Sequence, residues 1–277
     1  MRASRGKKAT QHPPSPLPCA VMAGAPGCHE QAQRLARRLH LPLVSEAGPD
    51  MLLLRLTGKR LELCRTGDPA LTGAVWVEFV RGRLDHRRRS QGGQMLLRAV
   101  GAGKYRMPLV FDATGGLGGD GFLMAAAGCR VHLFEQHPVV AAMLEDGLRR
   151  AAADPVAGTI CRRIRLRAEE FNAASWRQGP DPARPLVVYL DPMFPAREKS
   201  ARVKKGLQLL QLLVGTPVEP GGAGRLLEDA LQTATVRVVV KRPKKGPFLG
   251  GRRPSFSLAG KTVRFDVYQQ AGTGAGD

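Results

Sequence analysis

Three acidic residues of the chain each stand at the end of a short apolar run. Asp112 ends PLVFD, Glu135 ends RVHLFE and Asp191 ends LVVYLD. Apolar runs of this length, rich in β-branched residues, are typical of strands buried in a parallel sheet. Because ligands of open α/β sheets bind outside the carboxyl ends of the strands, we expect the three carboxylates to line one crevice. Carboxylates in such a crevice can bind cationic groups, sugar hydroxyls or amines.

A glycine-rich segment, VFDATGGLGGDGF, includes the end of the first run. Gly116, Gly118 and Gly121 satisfy the pattern GxGxxG, and glycines there permit positive φ angles and a close approach of a ligand to the backbone. Glu135 comes 19 residues after Gly116, which suits a carboxylate that binds ribose hydroxyls. Alone, the pattern fits NAD, FAD or S-adenosylmethionine, or a structural turn. Since the strand ends in the carboxylate of Asp112, the sequence favours the cationic S-adenosylmethionine.

The third run leads directly into a turn with the sequence DPMFP. The exocyclic amine of a nucleobase is a weak nucleophile and must be oriented for methylation. The Asp191 carboxylate and the Pro192 carbonyl could accept both of its N–H bonds, while Phe194 stacks on the base. A capping aspartate followed by loop prolines is the structural alternative. The turn therefore predicts an amine-methylating site with Asp191, Pro192 and Phe194 as catalytic residues.

Strands and helices alternate along most of the chain. This alternation predicts an α/β fold with a doubly wound, mostly parallel sheet of the class I methyltransferase (Rossmann-like) type, closed by a hairpin of PSFSLA and TVRFDVYQ. A helix at EQAQRLARRLHLP and strands at MLLLRLT, RLELCR and AVWVEFV predict a small α+β unit before it. The predicted organisation is a disordered basic tail at 1–18, the small N-terminal α+β unit at 19–89, a methyltransferase domain at 90–270 and a flexible tail at 271–277.

The composition indicates a polyanionic partner. The 277 residues include 43 Lys and Arg against 23 Asp and Glu, a formal net charge of +20, which favours binding to a phosphate backbone. The five cysteines form no CxxC pair, which argues against a zinc site and a disulfide framework. No apolar run is long enough to span a membrane. We therefore expect a cytoplasmic, RNA-binding protein without a metal.

Several segments together resemble known protein families. DATGGLGGD, LFEQHP and LDPMFP are similar to the class I S-adenosylmethionine-dependent methyltransferases, and LDPMFP resembles the Asp/Asn-Pro-Pro-Tyr/Phe motif of amine methyltransferases. FVRGRLDHRRR, SARVKKGLQLLQLLVG, VVVKRPKKGPFL and VRFDVY resemble the ribosomal RNA small subunit methyltransferase J family, over roughly residues 50–270. Members methylate the N2 amine of a guanine in small-subunit (16S) ribosomal RNA. The resemblance implies that activity, a step of ribosome biogenesis, with this RNA or the 30S subunit as partner.

The resemblance also implies which residues bind the ligands. With the residues already inferred from the glycine loop, the predicted cofactor contacts are Asp112, Gly115, Gly116, Gly118, Gly119, Asp120, Glu135, Gln136, Glu169, Glu170 and Asp191. Relatives are expected to carry small hydroxyl residues in place of Glu169 and Glu170, and Arg in place of Gly119. The predicted RNA contacts come from the basic clusters and are Arg87, Arg88, Arg89, Lys204, Lys205, Lys241 and Arg242.

Two other functions stay open on the residues alone. A nicotinamide-dependent oxidoreductase would use the same glycine loop, although it leaves the Asp-Pro turn and the net charge unexplained. A non-catalytic RNA-binding or ribosome assembly factor would keep the charge and lack methyl transfer.

Overall fold

The structure is a computed structural model that describes residues 17–82, 84, 93–173, 186–193, 205–215 and 220–270. The two predicted tails, apart from Leu17 and Pro18, lie outside the described residues. Among the residues described, no helix is both long enough and apolar enough to cross a membrane.

A five-stranded sheet comes from the N-terminal part of the chain. Its elements are β1 (Cys19–Ala23), α1 (His29–Leu39), β2 (Leu43–Val44), β3 (Leu52–Leu56), β4 (Leu61–Arg65) and β5 (Ala74–Val75). The strands lie in the order β2-β1-β3-β4-β5. β1 pairs in parallel with β2 and β3, whereas β4 pairs antiparallel with β3 and β5. The unit is thus α+β, with α1 against β1.

A seven-stranded sheet contains the remaining strands. They are β6 (Leu109–Asp112), β7 (Arg130–Phe134), β8 (Ile164–Arg167), β9 (Leu186–Leu190), β10 (Arg237–Pro243), β11 (Phe256–Ala259) and β12 (Val263–Gln269). Their order is β11-β12-β10-β9-β6-β7-β8. The strands β6 to β10 pair with one another in parallel. β12 pairs antiparallel with β10 and with β11, so β11 and β12 close the sheet as an antiparallel hairpin. The predicted fold class is confirmed.

The helices of this second part include three that begin at recognisable local signals. The described helices are α2 (Gln94–Val100), α3 (Gly119–Ala126), α4 (Pro138–Ala151), α5 (Pro155–Cys161), α6 (Lys205–Val214) and α7 (Pro220–Thr233). Gly118, in the left-handed conformation, precedes α3, and Pro138 opens α4 with a φ angle already suited to a helix. The Asp154 side chain caps α5 by accepting hydrogen bonds from the N–H groups of Val156 and Ala157.

The hydrophobic core lies on both faces of the large sheet. Successive residues of a strand face opposite sides, so neighbouring strand residues belong to different parts of the core. One face packs against the N-terminal sheet and α3, through residues that include Val21, Leu54, Val110, Phe122 and Val187. The other face packs against α7, through Phe111, Val188, Leu227 and Ala230. Because residues 19–89 and 90–270 share the first of these cores, their division into two domains stays a prediction.

Candidate active site

The carboxyl ends of neighbouring parallel strands form one rim of the large sheet. Asp112 is the last residue of β6, while Glu135 and Asp191 directly follow β7 and β9. The strand register pairs Asp112 with Leu133 of β7 and with Tyr189 of β9. The structure therefore brings the three acids to the same edge of adjacent strands.

A polar cluster lies at this rim, and we call it the Lys241 cluster; its members are Asp120, Tyr189, Asp191 and Lys241. The Lys241 ammonium nitrogen Nζ lies 2.7 Å from Asp120 Oδ2 and 2.7 Å from Asp191 Oδ2. The Tyr189 hydroxyl donates to Asp120 Oδ2 at 2.8 Å. Burial alone would lower the pKa of Lys241, but the two carboxylates outweigh burial and raise that pKa above its usual value. A charged ammonium thus joins β10 to β9 and to the first turn of α3.

Tyr189 is the uncharged member of this cluster. Its side chain is fully buried, and burial raises its pKa well above the usual value, with a further increase from the nearby carboxylates of Asp120 and Asp191. The hydroxyl therefore keeps its proton and acts as a hydrogen-bond donor to Asp120.

Asp112 is the most deeply buried carboxyl of the rim, with 2% of its surface exposed. Burial raises its pKa to about 8, and repulsion from Asp120 adds to the increase, while a hydrogen bond from the N–H of Thr114 opposes it. At neutral pH the carboxyl is therefore mostly protonated until a positive charge comes near it. This behaviour suits a group whose ligand is a cation.

The glycine loop between β6 and α3 is tied to the neighbouring strand. The N–H of Gly115 donates to the carbonyl of Phe134 at 2.8 Å. Gly116 and Gly118 have φ angles of 52° and 75°, which favour glycine. A Cβ added at Gly116 would meet only one atom within 4 Å, at 3.8 Å, whereas a Cβ at Gly118 would lie 2.6 Å from the Leu144 side chain. The loop is open at Gly116 and closely packed at Gly118.

Glu135 fixes the loop from the end of β7. Its carboxylate accepts the N–H of Gly116 on Oε2 and the N–H of His137 on Oε1, both at 2.8 Å. Burial raises the pKa of Glu135, and these two hydrogen bonds oppose the increase. The carboxylate is only partly buried, so further lone pairs can accept hydrogen bonds from the two hydroxyls of a ribose. Gln136, the next residue, is exposed.

The Asp191 turn is bound to the loop that follows β6. The N–H of Asp191 donates to the Thr114 hydroxyl at 2.7 Å, and the N–H of Ala113 donates to the carbonyl of Tyr189 at 3.0 Å. The Asp191 side chain keeps 38% of its surface exposed, and Pro192 is also partly exposed. The turn is therefore held at its backbone while its carboxylate stays accessible.

The loop that follows β10 is held by Arg264 of β12. The guanidinium donates to both carboxylate oxygens of the fully buried Asp266, at 2.8 Å and 3.0 Å. It also donates to the carbonyls of Lys244 and Gly246, at 2.9 Å and 2.8 Å. Because Lys241 lies in β10 just before this loop, Arg264 stabilises the chain next to the Lys241 cluster.

Further predicted site residues lie in the described part of the chain, outside the Lys241 cluster. Glu169 and Glu170 follow the edge strand β8 and are exposed. Arg242 is buried, with 4% of its surface exposed, and its Nε donates to the carbonyl of Pro247 at 2.8 Å. Lys205 opens α6, and nothing further is described for its side chain. Of the predicted site residues, those outside the described ranges are Arg87, Arg88, Arg89, Phe194 and Lys204.

Sequence reasoning missed two contributors to the site, Thr114 and Tyr189. The hydroxyl of Thr114 accepts the N–H of Asp191, and the hydroxyl of Tyr189 donates to Asp120. Tyr189 carried a usable signal, because a tyrosine buried within an aliphatic strand usually needs a hydrogen-bond partner. It also stands two residues before Asp191, which puts both on the same side of the strand.

The residues of this rim fit a cationic nucleoside cofactor such as S-adenosylmethionine. The open space at Gly116 lets a ligand approach the backbone of the glycine loop. Asp112 can ionise against a positive group, and Glu135 can accept hydrogen bonds from ribose. The donor set matches both the charged and the sugar portions of such a molecule.

Comparisons with known proteins identify similar chains. The model of a family described as "Putative SAM-dependent methyltransferase" matches residues 34–270. A protein of Pseudomonas aeruginosa (strain LESB58) named ribosomal RNA small subunit methyltransferase J is 44% identical over 258 residues, which cover 92% of this chain and 96% of that protein. A protein of the same name from Thioalkalivibrio sulfidiphilus (strain HL-EbGR7) is 47% identical over 243 residues, covering 86% and 92%.

A solved structure is also similar to this chain. It is a SAM-dependent methyltransferase from Neisseria gonorrhoeae, which is 34% identical with a TM-score of 0.71. The match covers 92% of this chain and 97% of the other.

Proposed function

This chain belongs to the ribosomal RNA small subunit methyltransferase J family, and from that membership we propose that it methylates the N2 amine of a guanine in small-subunit (16S) ribosomal RNA. The family is S-adenosylmethionine-dependent, so the enzyme uses this cofactor. Membership of this family argues against the alternative of a nicotinamide-dependent oxidoreductase.

The observation that carries this proposal is the Asp191 turn at the end of β9. The turn presents an accessible carboxylate beside the loop that would hold the cofactor, and the hydrogen bond from the Asp191 N–H to Thr114 joins the two. An exocyclic amine offers two N–H bonds, so a carboxylate and a carbonyl can hold it in one orientation. We assign these two acceptors to the Asp191 side chain and the Pro192 carbonyl.

Residues of the rim have distinct roles in this mechanism. When bound, the cofactor supplies an electrophilic methyl group on a sulfonium. Glu135 would hold the ribose, Asp112 would face the positive charge, and the backbone of the glycine loop would hold the amino-acid portion. Asp191 would accept an N–H of the amine and stabilise the positive charge that develops on the nitrogen as the N–CH3 bond forms and the S–CH3 bond breaks. The cofactor would leave as a neutral thioether, and the methylated nitrogen would then lose one proton to water. For Phe194, which lies outside the described residues, stacking on the base stays a prediction from the sequence.

The basic surface near the rim is proposed to bind the RNA backbone. Four exposed cations, Lys244, Lys245, Arg252 and Arg253, belong to the segment that follows β10, whose strand ends at the same rim. Together with the net charge of +20, they favour phosphate contacts that weaken as salt rises. Whether the partner is free RNA or the 30S subunit, and whether the enzyme is cytoplasmic, stay predictions.

The test measures methyl transfer from labelled S-adenosylmethionine to small-subunit RNA and to 30S subunits from cells that lack this protein. Asp191→Ala is expected to lower kcat by about 10²–10³-fold, since it removes one group that stabilises the transition state. Glu30→Ala is the matched control, because Glu30 is an exposed carboxylate far along the chain from the site.

Two results decide the proposal. Digestion of the product should release N2-methylguanosine, identified by mass spectrometry. If the wild-type enzyme methylates neither substrate, or if the label is found on another atom, the proposal is wrong.

A further inference from the structure

The position of Lys241 suggests a role that the sequence did not predict. We propose that Lys241 is a positioning residue, which holds the Asp191 carboxylate ionised and correctly oriented for the target amine instead of contacting RNA phosphate. This inference rests on the proposed function, because it assigns the target amine to Asp191.

The backbone places Lys241 beside Asp191. Leu190 of β9 pairs with Val240 of β10 in the parallel register, so Asp191 and Lys241 are the next residues on adjacent strands. The two side chains meet at 2.7 Å. The Lys241 side chain is 24% exposed, well below the exposure expected for a lysine that extends toward a phosphate backbone.

A second contact fixes the ammonium from the other side. Nζ lies 2.7 Å from Asp120 Oδ2, and the same oxygen accepts the hydroxyl of Tyr189 at 2.8 Å. An ammonium has three N–H donors, and two carboxylates in different elements engage it here. Lys241 thus has a defined position, and its contact with Oδ2 of Asp191 restricts the rotation of that carboxylate.

Electrostatics give the same conclusion. The titratable groups that face each other here are Asp112 of β6, Asp120 of α3, Tyr189 of β9, Asp191 directly after β9, and Lys241 of β10. Without the ammonium, carboxylates this close would disfavour each other's ionised forms, and one of them would hold a proton. A protonated Asp191 would be a poorer acceptor for the N–H of an amine, so methyl transfer would slow.

The first experiment compares Lys241→Met with Lys244→Met. Lys244 is exposed in the loop just after β10 and serves as the phosphate-contact comparison. Lys241→Met is expected to lower kcat by about 10²-fold, a loss typical of a misplaced reacting group, with the KM for RNA within about threefold of wild type. Lys244→Met is expected to raise that KM and to reduce the salt dependence of binding.

Further variants separate positioning from a structural role. Lys241→Arg keeps the charge and should recover part of the activity, and Lys241→Gln serves if the Met variant does not fold. In Lys241→Gln the acid limb of the kcat profile should move to higher pH, because a carboxylate that loses a cationic partner takes up a proton at higher pH. A structural defect would instead lower kcat equally at every pH.

Binding of S-adenosylmethionine, measured by calorimetry, supplies a readout other than activity. Its Kd should stay within about threefold in Lys241→Arg, which keeps the positive charge that lowers the pKa of Asp112. A tenfold weaker Kd would identify Lys241 as a cofactor contact and overturn the inference. So would an active wild-type enzyme whose kcat is unchanged in Lys241→Gln, or a Lys241 variant that alters only the KM for RNA. An inactive wild-type enzyme contradicts the proposed function itself.

Discussion

We predict that S-adenosylmethionine binds more tightly as the pH rises from about 6 to about 7, because its binding removes a proton from Asp112. Without a ligand, burial holds the pKa of this carboxyl at about 8. A cationic ligand favours the ionised form and lowers that pKa. The proton is therefore released on binding, and a lower pH opposes binding.

The magnitude follows from the ionised fraction of Asp112. With a pKa of about 8, about 1% of the carboxyl is ionised at pH 6 and about 9% at pH 7. The Kd should therefore fall about ninefold between pH 6 and pH 7. About 0.9 protons should be released per cofactor bound at pH 7. The α-amino group of the ligand has a pKa of about 8, above this pH range, so it stays mostly charged.

The assay is titration calorimetry at both pH values, in buffers that differ in their enthalpy of ionisation. The buffer dependence of the measured heat counts the protons released. Asp112→Asn is the matched control, since its amide has a similar shape and cannot ionise. This variant should bind the cofactor more weakly than the wild type at both pH values, with a Kd that is nearly independent of pH.

Two results would refute the reasoning. One is a wild-type Kd that is equal at the two pH values, with no proton released. The other is an Asp112→Asn variant with the same pH dependence as the wild type, which would assign the proton to another group.

Two further predictions concern stability, measured as the free energy of unfolding in urea. Gly118→Ala should lower the free energy of unfolding by about 2–5 kcal/mol, because a Cβ strains the left-handed backbone and would also lie 2.6 Å from Leu144. In the control Gly119→Ala, where the nearest neighbour of the Cβ lies at 3.9 Å, the change should be less than about 0.5 kcal/mol. Equal losses in both would contradict the packing argument. Arg264→Ala should lose about 3–5 kcal/mol because it leaves the buried Asp266 carboxylate without its cationic partner, although the Ser257 hydroxyl still donates to it. Arg34→Ala, whose ion pair is exposed, should lose less than about 0.5 kcal/mol. A small loss for Arg264→Ala would show that water replaces the guanidinium.

The large sheet could be predicted because its strands are marked in the sequence. Most of the parallel strands contain a short apolar run, whereas β8 (IRLR) alternates apolar residues with arginine. The strands alternate with helical segments, which leaves few possible topologies. The N-terminal unit was harder to predict. AVWVEFV reads as one strand, but only Ala74 and Val75 pair with a neighbour. Val77 and Phe79 are buried in the shared core instead, because packing against the helices competes with strand pairing.

Short elements were missed for a related reason. Neither β1 nor the seven-residue α5 was predicted from the sequence. α5 begins with Asp154 and Pro155, a capping aspartate followed by a proline at the first helical position. The signal was present, but a segment this short has too few turns for a clear hydrophobic period.

The site was predicted in outline only. The positions of Asp112, Glu135 and Asp191 follow from the rule that ligands bind at the carboxyl ends of parallel strands. The partner of Lys241 does not follow from that rule, since it depends on which strand lies beside β10. Once the register pairs Leu190 with Val240, Lys241 falls next to Asp191. Sequence periodicity assigns a residue to a face, but strand order assigns its neighbour.

The two supports of the active site come from distant parts of the chain. A Cβ at Gly118 would also meet Phe79, at 3.1 Å, so the N-terminal segment packs under the glycine loop, while Arg264 of β12 holds the loop after Lys241. Contacts between such remote segments form slowly and late in folding. In a nascent chain, β12 must therefore leave the ribosome before the active site is complete.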